Sequence, residues 1–318
     1  MKVFRMLMHA VVVSLLAPVA LTFADTAQYS FTLENFQIKN TRSRHNDTDF
    51  VTFSLRVGGT QLATQKRSMG DLNNGTFPVN LTFNSVSVPQ GALVVLNYQV
   101  VNSGHQDTSK IENTLDQTAD HLIDIAATKF TSSTAASSSD GDQTATGMSE
   151  TGQVIAKVFV SLAGYFLKFV AHAGVGMLFA NCDGPVAIDT ITMDPTTLAH
   201  TTLEGTHREY RHYPGFNSPQ GCGSNSNYFV TWSVTRTSPV TSSLVENLLI
   251  KSTSSPAIYL VQKGQRRWIP SPEILNAWQY QYQKIYVLND NEVNALPKGT
   301  DVAMPTVHIP TPAERMRR

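Results

Sequence analysis

Hydrophobic and polar residues alternate along most of the first hundred positions. Apolar residues occupy every second position from Tyr29 to Leu33, and the alternation resumes on the other phase at Phe36, which predicts a strand with a bulge near residues 34–35. The same alternation predicts further strands over 51–57, 60–66, 79–83 and 92–101. Short strands joined by polar turns are typical of an antiparallel β-sandwich.

The pattern becomes helical after the fifth strand. Apolar residues recur at helical spacing through Ile125, then residues 129–150 are rich in Ser and Thr, and residues 153–180 are mostly apolar. We therefore predict a two-helix insertion over 109–181 with a flexible loop at 129–150. The apolar second helix is interpreted as a buried helix lying across the sandwich, with a membrane-inserting hairpin as the alternative, although no uninterrupted run of 18 apolar residues occurs.

Strand-like alternation returns over 186–193 and 228–234, on either side of a polar segment, 200–227, that we expect to be an exposed loop. A lone strand cannot bury its apolar face, so these strands are assigned to the same sandwich. The predicted fold is thus a mainly β protein with an α insertion: an antiparallel β-sandwich over 25–238, interrupted by two helices.

The C-terminal part of the chain forms a separate pattern. A linker is predicted over 239–256, a small ββαβα unit over 257–304 and a disordered tail over 305–318. Lys263-Gly264 is a two-residue hairpin signal. A unit of this size is near the lower limit for independent folding, so we expect it to dock on another part of the protein.

The C-terminal unit carries the stretches AIYLVQKGQRRWIPSPEILNAW and VLNDNEVNALPKGT. These resemble a short module that recurs at the C-termini of secreted bacterial envelope and cell-wall proteins. The resemblance covers about 50 of 318 residues and implies envelope or cell-surface association and nothing more specific. The main domain resembles no characterised family.

The N-terminus has the layout of a secretory signal peptide. Lys2 and Arg5 precede an apolar run over 10–21, and small residues at 22 and 24 suit cleavage after Ala24. We therefore expect residues 1–24 to be removed and the protein to be secreted. The alternative is that the run is kept as a membrane anchor, but it is short for that purpose.

Charge and cysteine content limit the classes of function that the chain can have. Lysine and arginine together number 24, as do the acidic residues, so the chain lacks the basic surplus that nucleic-acid binding requires. Cys182 and Cys222 are the only cysteines, and in an exported chain such a pair is expected to form a disulfide.

The segment RSRHNDTDF, residues 42–50, is dense in charge. If the strands run antiparallel, the loops at this end of the sandwich bring together the carboxylates of Asp47, Asp49, Asp71 and Asp107. Clustered oxygen ligands are what Ca²⁺ requires, so the sequence predicts a calcium site here. The alternative is that Arg42 or Arg44 pairs with these acids and pins the insertion to the sandwich.

Other polar residues give weaker signals. His200, Glu204, His207, Glu209 and His212 lack the helical spacing of a zinc hydrolase and are interpreted as a polar surface. Ser224 lies outside the strand–turn–helix context of a serine nucleophile.

The aromatic residues of the C-terminal unit suggest binding. Exposed aromatic rings can stack on the C–H faces of sugars. Trp268, Trp278, Tyr280 and Tyr282 are therefore the predicted ligand-binding residues.

Together these features favour a secreted, non-catalytic binding or structural protein with an extracellular or cell-wall glycan as its partner. An extracellular hydrolase and a membrane-active protein that uses helix 153–180 are the alternatives.

Overall fold

The computed structural model describes residues 26–104, 108–137, 182–215, 222 and 224–305. The predicted signal peptide, the apolar helix 153–180 and the tail beyond residue 305 lie outside this part of the chain. The fold is mainly β, with antiparallel sheets that form a sandwich and a helix inserted between two of its strands.

One sheet of the sandwich has four antiparallel strands in the order β5-β1-β9-β8. The bounds are Thr26–Asn40 for β1, Gly75–Pro89 for β5, His207–Pro214 for β8 and Asn227–Arg236 for β9. The register of β1 shifts between Leu33 and Asn35 against both of its neighbours, which confirms the bulge that the sequence predicts.

The facing sheet has the order β3-β2-β6-β7, and β4 also pairs with β2. The bounds are Asp47–Val57 for β2, Thr60–Gln61 for β3, Gln65–Leu72 for β4, Val94–Asn102 for β6 and Gly184–Met193 for β7. The alternating apolar residues of both sheets meet in one core, which includes Phe31, Phe53, Tyr98 and Trp232.

Helix α1, Thr108–Ser137, lies on the outer face of the second sheet. Its Leu122, Ile123 and Ala126 pack with Val95 of β6. The helix continues to residue 137, so the flexible loop predicted for 129–150 is wrong over its first part, and the rest of that loop lies outside the described residues.

The C-terminal unit is a four-stranded sheet in the order β12-β11-β10-β13. Its elements are β10 (Leu249–Ser252), β11 (Ile258–Gln262), β12 (Gln265–Trp268), α3 (Pro272–Ala277), a 3₁₀ turn (Tyr280–Tyr282), β13 (Ile285–Leu288) and α4 (Asp290–Ala295). Strand β10 occupies part of the predicted linker 239–256, so the unit begins earlier than the sequence predicts.

The C-terminal unit docks on the sandwich through helix α2, Pro195–Thr202, and through the end of β9. Leu203 packs into the core of the unit beside Tyr286. Arg236 at the end of β9 forms an ion pair with Glu292 of α4 at 2.8 Å, with both side chains largely buried. This contact confirms the expectation that so small a unit docks on its neighbour.

Candidate functional site

The charged segment 42–50 ends in a buried cluster around Tyr228. The Tyr228 hydroxyl lies 2.7 Å from Oδ2 of Asp47 and 2.9 Å from Oδ2 of Asp49. Asp47 also accepts backbone N–H groups from Arg42 and Ser43 at 2.6 and 2.7 Å. Both carboxyl groups are buried because β2 begins at Asp47 and directs them to the same inner face as Val51.

A single phenol faces two carboxyl groups in this cluster. Burial, and then the neighbouring Asp47 charge, raise the pKa of Asp49 well above its usual range, against a smaller opposing effect of Tyr228. A phenol donates only one proton, so it cannot donate to both carboxyls at once. A protonated Asp49 removes this conflict, since it donates to Tyr228, which donates to Asp47.

Arg42 connects the segment to the end of the insertion. Its Nε donates to the carbonyl of Cys182 at 2.9 Å, and Asn102 donates to the same carbonyl at 3.1 Å. Burial lowers the pKa of Arg42, and the charges of Asp47 and Asp183 oppose this shift. The arginine therefore pins the chain leaving the insertion to the sandwich through a backbone carbonyl, whereas the alternative to a cation site expected Arg42 or Arg44 to pair with the acids themselves.

Of the four predicted calcium ligands, the three that the structure describes do not converge. Asp71 of β4 pairs with Thr48 of β2 and accepts a hydrogen bond from the Thr48 hydroxyl. It therefore lies on the other face of the sheet from Asp47 and Asp49. Asp107 lies outside the described residues. Within the described part of the chain, no group of three or more His, Cys, Asp or Glu side chains is arranged to hold a metal ion. The sequence predicts Asp71 in a loop beside Asp47 and Asp49, because residues 67–72 lie between two predicted strands. This is wrong, since those residues belong to β4.

Cys182 and Cys222 form the predicted disulfide, with an S–S distance of 2.08 Å. It joins the start of β7 to the segment before β9. Ser224, considered as a nucleophile, accepts a hydrogen bond from Asn40 at 2.7 Å.

The His- and Glu-rich segment is not a loop, because most of it forms α2 and β8. Side chains from β8, from the facing edge strand β7 and from its neighbour β6 meet in what we call the edge network. Its members are His207, Glu209, Arg211, Tyr213, Asp189 and Tyr98. Arg211 lies 3.1 Å from Asp189 and 2.6 Å from Glu209, and Tyr213 donates to Asp189 at 2.9 Å.

The edge network closes the open side of the sandwich. Burial raises the pKa of Asp189 to about 6, although the Arg211 charge opposes the shift. Each of its acids has a hydrogen-bonded or ionic partner inside the network, so the arrangement neutralises charge between two edge strands. Sequence periodicity missed this network because every residue from His207 to Arg211 is polar or aromatic.

The structure separates the four predicted ligand-binding aromatics. Trp268 lies in register with Tyr259, on the face of the small sheet opposite Leu260, whereas helix α3 packs on the Leu260 face. Trp278 and Tyr280 lie together, with ring centroids 6.1 Å apart and planes inclined by 10°. Tyr282 is 84% exposed. We call Trp278, Tyr280 and Tyr282 the aromatic surface.

A second group of rings lies on the outer face of β8 and β9 and was not predicted. The Phe229 ring lies parallel to Tyr210 and His212, with centroid distances of 5.0 and 4.3 Å. Phe229 of β9 is thus packed by rings of β8, which ties the two strands together, while Tyr210 remains 59% exposed.

Comparison with protein-family models gives no match, and comparison with curated proteins gives no significant relative. Among the helices that the structure describes, none has both the length and the apolar character needed to cross a membrane.

Proposed function

We propose that this protein is a secreted, non-catalytic glycan-binding protein that attaches to cell-wall or extracellular polysaccharide through the aromatic surface of its C-terminal unit. The observation that carries the proposal is the parallel pair of Trp278 and Tyr280, followed two residues later by the exposed Tyr282. Exposed rings of this kind offer flat apolar faces to the C–H side of a sugar ring.

Two rings of the aromatic surface, Trp278 and Tyr280, are held in place before any ligand binds. The Trp278 indole Nε1 donates to the carbonyl of Ala303 at 2.9 Å, and Tyr280 packs against the buried cluster that contains Leu249 and Leu260. Fixed rings lose little conformational entropy on binding, which favours affinity.

Two further features support action outside the cell. The Cys182–Cys222 bond is a structural disulfide, and such bonds persist in oxidising compartments. The resemblance of the C-terminal unit to modules of secreted envelope proteins points the same way. The calcium site expected from the sequence is not carried into the proposal, because Asp71 lies on the other face of the sheet from Asp47 and Asp49.

The test is depletion of the full-length protein by insoluble peptidoglycan, chitin and cellulose. We expect at least one of these polysaccharides to bind the protein. The double variant Trp278→Ala/Tyr282→Ala should bind about fivefold or more weakly, because two ring contacts are lost.

Trp268→Ala is the matched control, since Trp268 is 40% exposed and Trp278 is 43% exposed but the two lie on opposite faces of the small sheet. Binding by Trp268→Ala should equal that of the wild type. An equal loss in both variants, or no binding of the wild type to any of the three polysaccharides, would overturn the proposal.

A further inference from the structure

A groove opens where the sandwich meets the chain that leads into the C-terminal unit. Its volume is about 240 Å³, just below the range of about 300–1,000 Å³ typical of drug-sized ligands. The walls come from the start of β1, the end of β5, helix α2 and residues 243–248. A groove of this size takes a ligand of about one sugar ring.

The walls of the groove are fixed from both sides. Lys284 of the C-terminal unit pairs with Glu204, just after α2, at 2.8 Å, and the buried pair of Arg236 and Glu292 holds the end of β9 to α4. The groove is therefore formed by the docking of the two units.

The lining carries almost no available charge. Glu246 accepts the backbone N–H groups of Lys263 and Gly264 at 2.6 and 3.0 Å, so both of its oxygens are engaged by the hairpin turn. Burial, helped by the Lys284 charge, lowers the pKa of His200, so its ring is neutral at neutral pH despite the opposing Asp194. Burial also raises the pKa of Tyr29, against the opposing charge of Arg236. Because Arg236 and Lys284 are already paired with Glu292 and Glu204, they are engaged and do not serve to balance a phosphate or carboxylate ligand in the groove.

The remaining lining is amphipathic. Ala27, Val88, Leu244 and Leu248 provide apolar walls, with the rings of Tyr29 and His200 beside them. The exposed side chains of Gln90, Thr196 and Ser243 lie at the rim and carry amide and hydroxyl groups. Apolar walls with a few polar groups suit a ligand that has C–H faces and hydroxyls.

We propose that this groove binds one uncharged sugar unit, such as the end of a glycan chain. The proposal rests on the proposed function, because it takes the ligand to be a glycan, but it assigns a second site that is separate from the aromatic surface.

The experiment is saturation-transfer-difference NMR on the full-length protein in the Trp278→Ala/Tyr282→Ala background, so that the aromatic surface does not contribute. The neutral probes are the methyl glycosides of glucose, N-acetylglucosamine and galactose, and methyl glucuronide is the charged probe. We expect saturation transfer to at least one neutral glycoside and at least a fivefold smaller signal for the glucuronide.

Adding Thr196→Trp, which places a bulky ring at the rim of the groove, should abolish the signal. Thr201→Trp is the matched control, because Thr201 is also an exposed residue of α2 but does not line the groove, and it should leave the signal unchanged. Absence of a signal from all three neutral glycosides, or a signal that survives Thr196→Trp, would overturn the inference.

The outcomes separate the two proposals. Loss of polysaccharide binding on changing Trp278 and Tyr282, without any glycoside signal, would leave the proposed function standing and remove the groove. A glycoside signal that Thr196→Trp abolishes, with polysaccharide binding unaffected by the aromatic variants, would support the groove and remove the proposed role of the aromatic surface.

Discussion

Two neighbouring carboxyl groups, Asp47 and Asp49, have opposite roles in the sandwich. Asp47 accepts two backbone N–H groups and a hydroxyl, which is a favourable set of partners for a buried carboxylate. Asp49 shares Tyr228 with it, and Oδ1 of Asp49 is buried with no hydrogen-bond partner in the described part of the chain. We therefore expect Asp47 to stabilise the fold. We expect Asp49 to destabilise it at any pH at which its carboxyl group is ionised in the unfolded chain.

The pair gives a prediction with a definite sign. Because the folded pKa of Asp49 is raised, its contribution to stability is lost as pH rises above the unfolded value of about 3.9. Asp49→Asn should remove this loss. The free energy of unfolding of the variant, relative to that of the wild type, should therefore be higher at pH 8 than at pH 4. Urea denaturation at both pH values measures the difference.

Asp47→Asn serves as the comparison. An amide at this position leaves at least one buried backbone N–H without an acceptor, which should cost about 1–3 kcal/mol at pH 7. A difference between Asp49→Asn and the wild type that stays constant with pH would contradict the proton assignment.

Sequence reasoning at the residue scale succeeded for the disulfide and failed for the acids. Two cysteines in a chain with a signal-peptide pattern have one intramolecular pairing, so Cys182–Cys222 followed directly. Asp residues near a turn resemble solvated turn formers, and nothing in the local pattern shows that β2 already begins at Asp47. Their burial depends on Tyr228, which lies far away in sequence.

Among the elements, strands with an apolar face were predictable and polar strands were not. The alternation in β1, β2 and β9 is strong because one face of each packs into the core. Strand β8 alternates between half-buried and exposed residues, but its inward residues His207, Glu209 and Arg211 are themselves polar. Strand β10, with four residues, is too short to show a period.

Docking of α4 on β9 can be tested through a buried ion pair. Arg236 and Glu292 have side-chain exposures of 5% and 16%, so removing one partner leaves a buried charge uncompensated. Glu292→Gln keeps a side chain that can complete the capping box with Asn289, yet it should lower the free energy of unfolding by about 3 kcal/mol. Urea denaturation followed by fluorescence measures this loss.

The matched control is Lys284→Gln in the second contact between the units. Lys284 and Glu204 are 49% and 39% exposed, and exposed pairs contribute about 1 kcal/mol or less. Equal losses from Glu292→Gln and Lys284→Gln would show that the two units are not held together through Arg236.

In the whole molecule, the buried polar groups and the proposed binding surface occupy different places. The cluster around Tyr228 and the edge network lie between the two sheets. In both, polar side chains of one sheet supply the hydrogen-bond or ionic partners that water would otherwise give to polar side chains of the other sheet. Helix α1 covers the outer face of the second sheet. The aromatic surface lies on the C-terminal unit, away from both polar networks. This separation is why we assign the acids to stability and the rings to binding.

The most direct test measures binding and cleavage in the same sample. Full-length protein is incubated with the polysaccharide that retains it, and both the protein depleted from solution and the reducing ends released are quantified. We expect depletion without reducing ends above the blank, and depletion that Asp189→Asn leaves unchanged. Release of reducing ends that Asp189→Asn abolishes would contradict this expectation, because the edge network would then be a catalytic site.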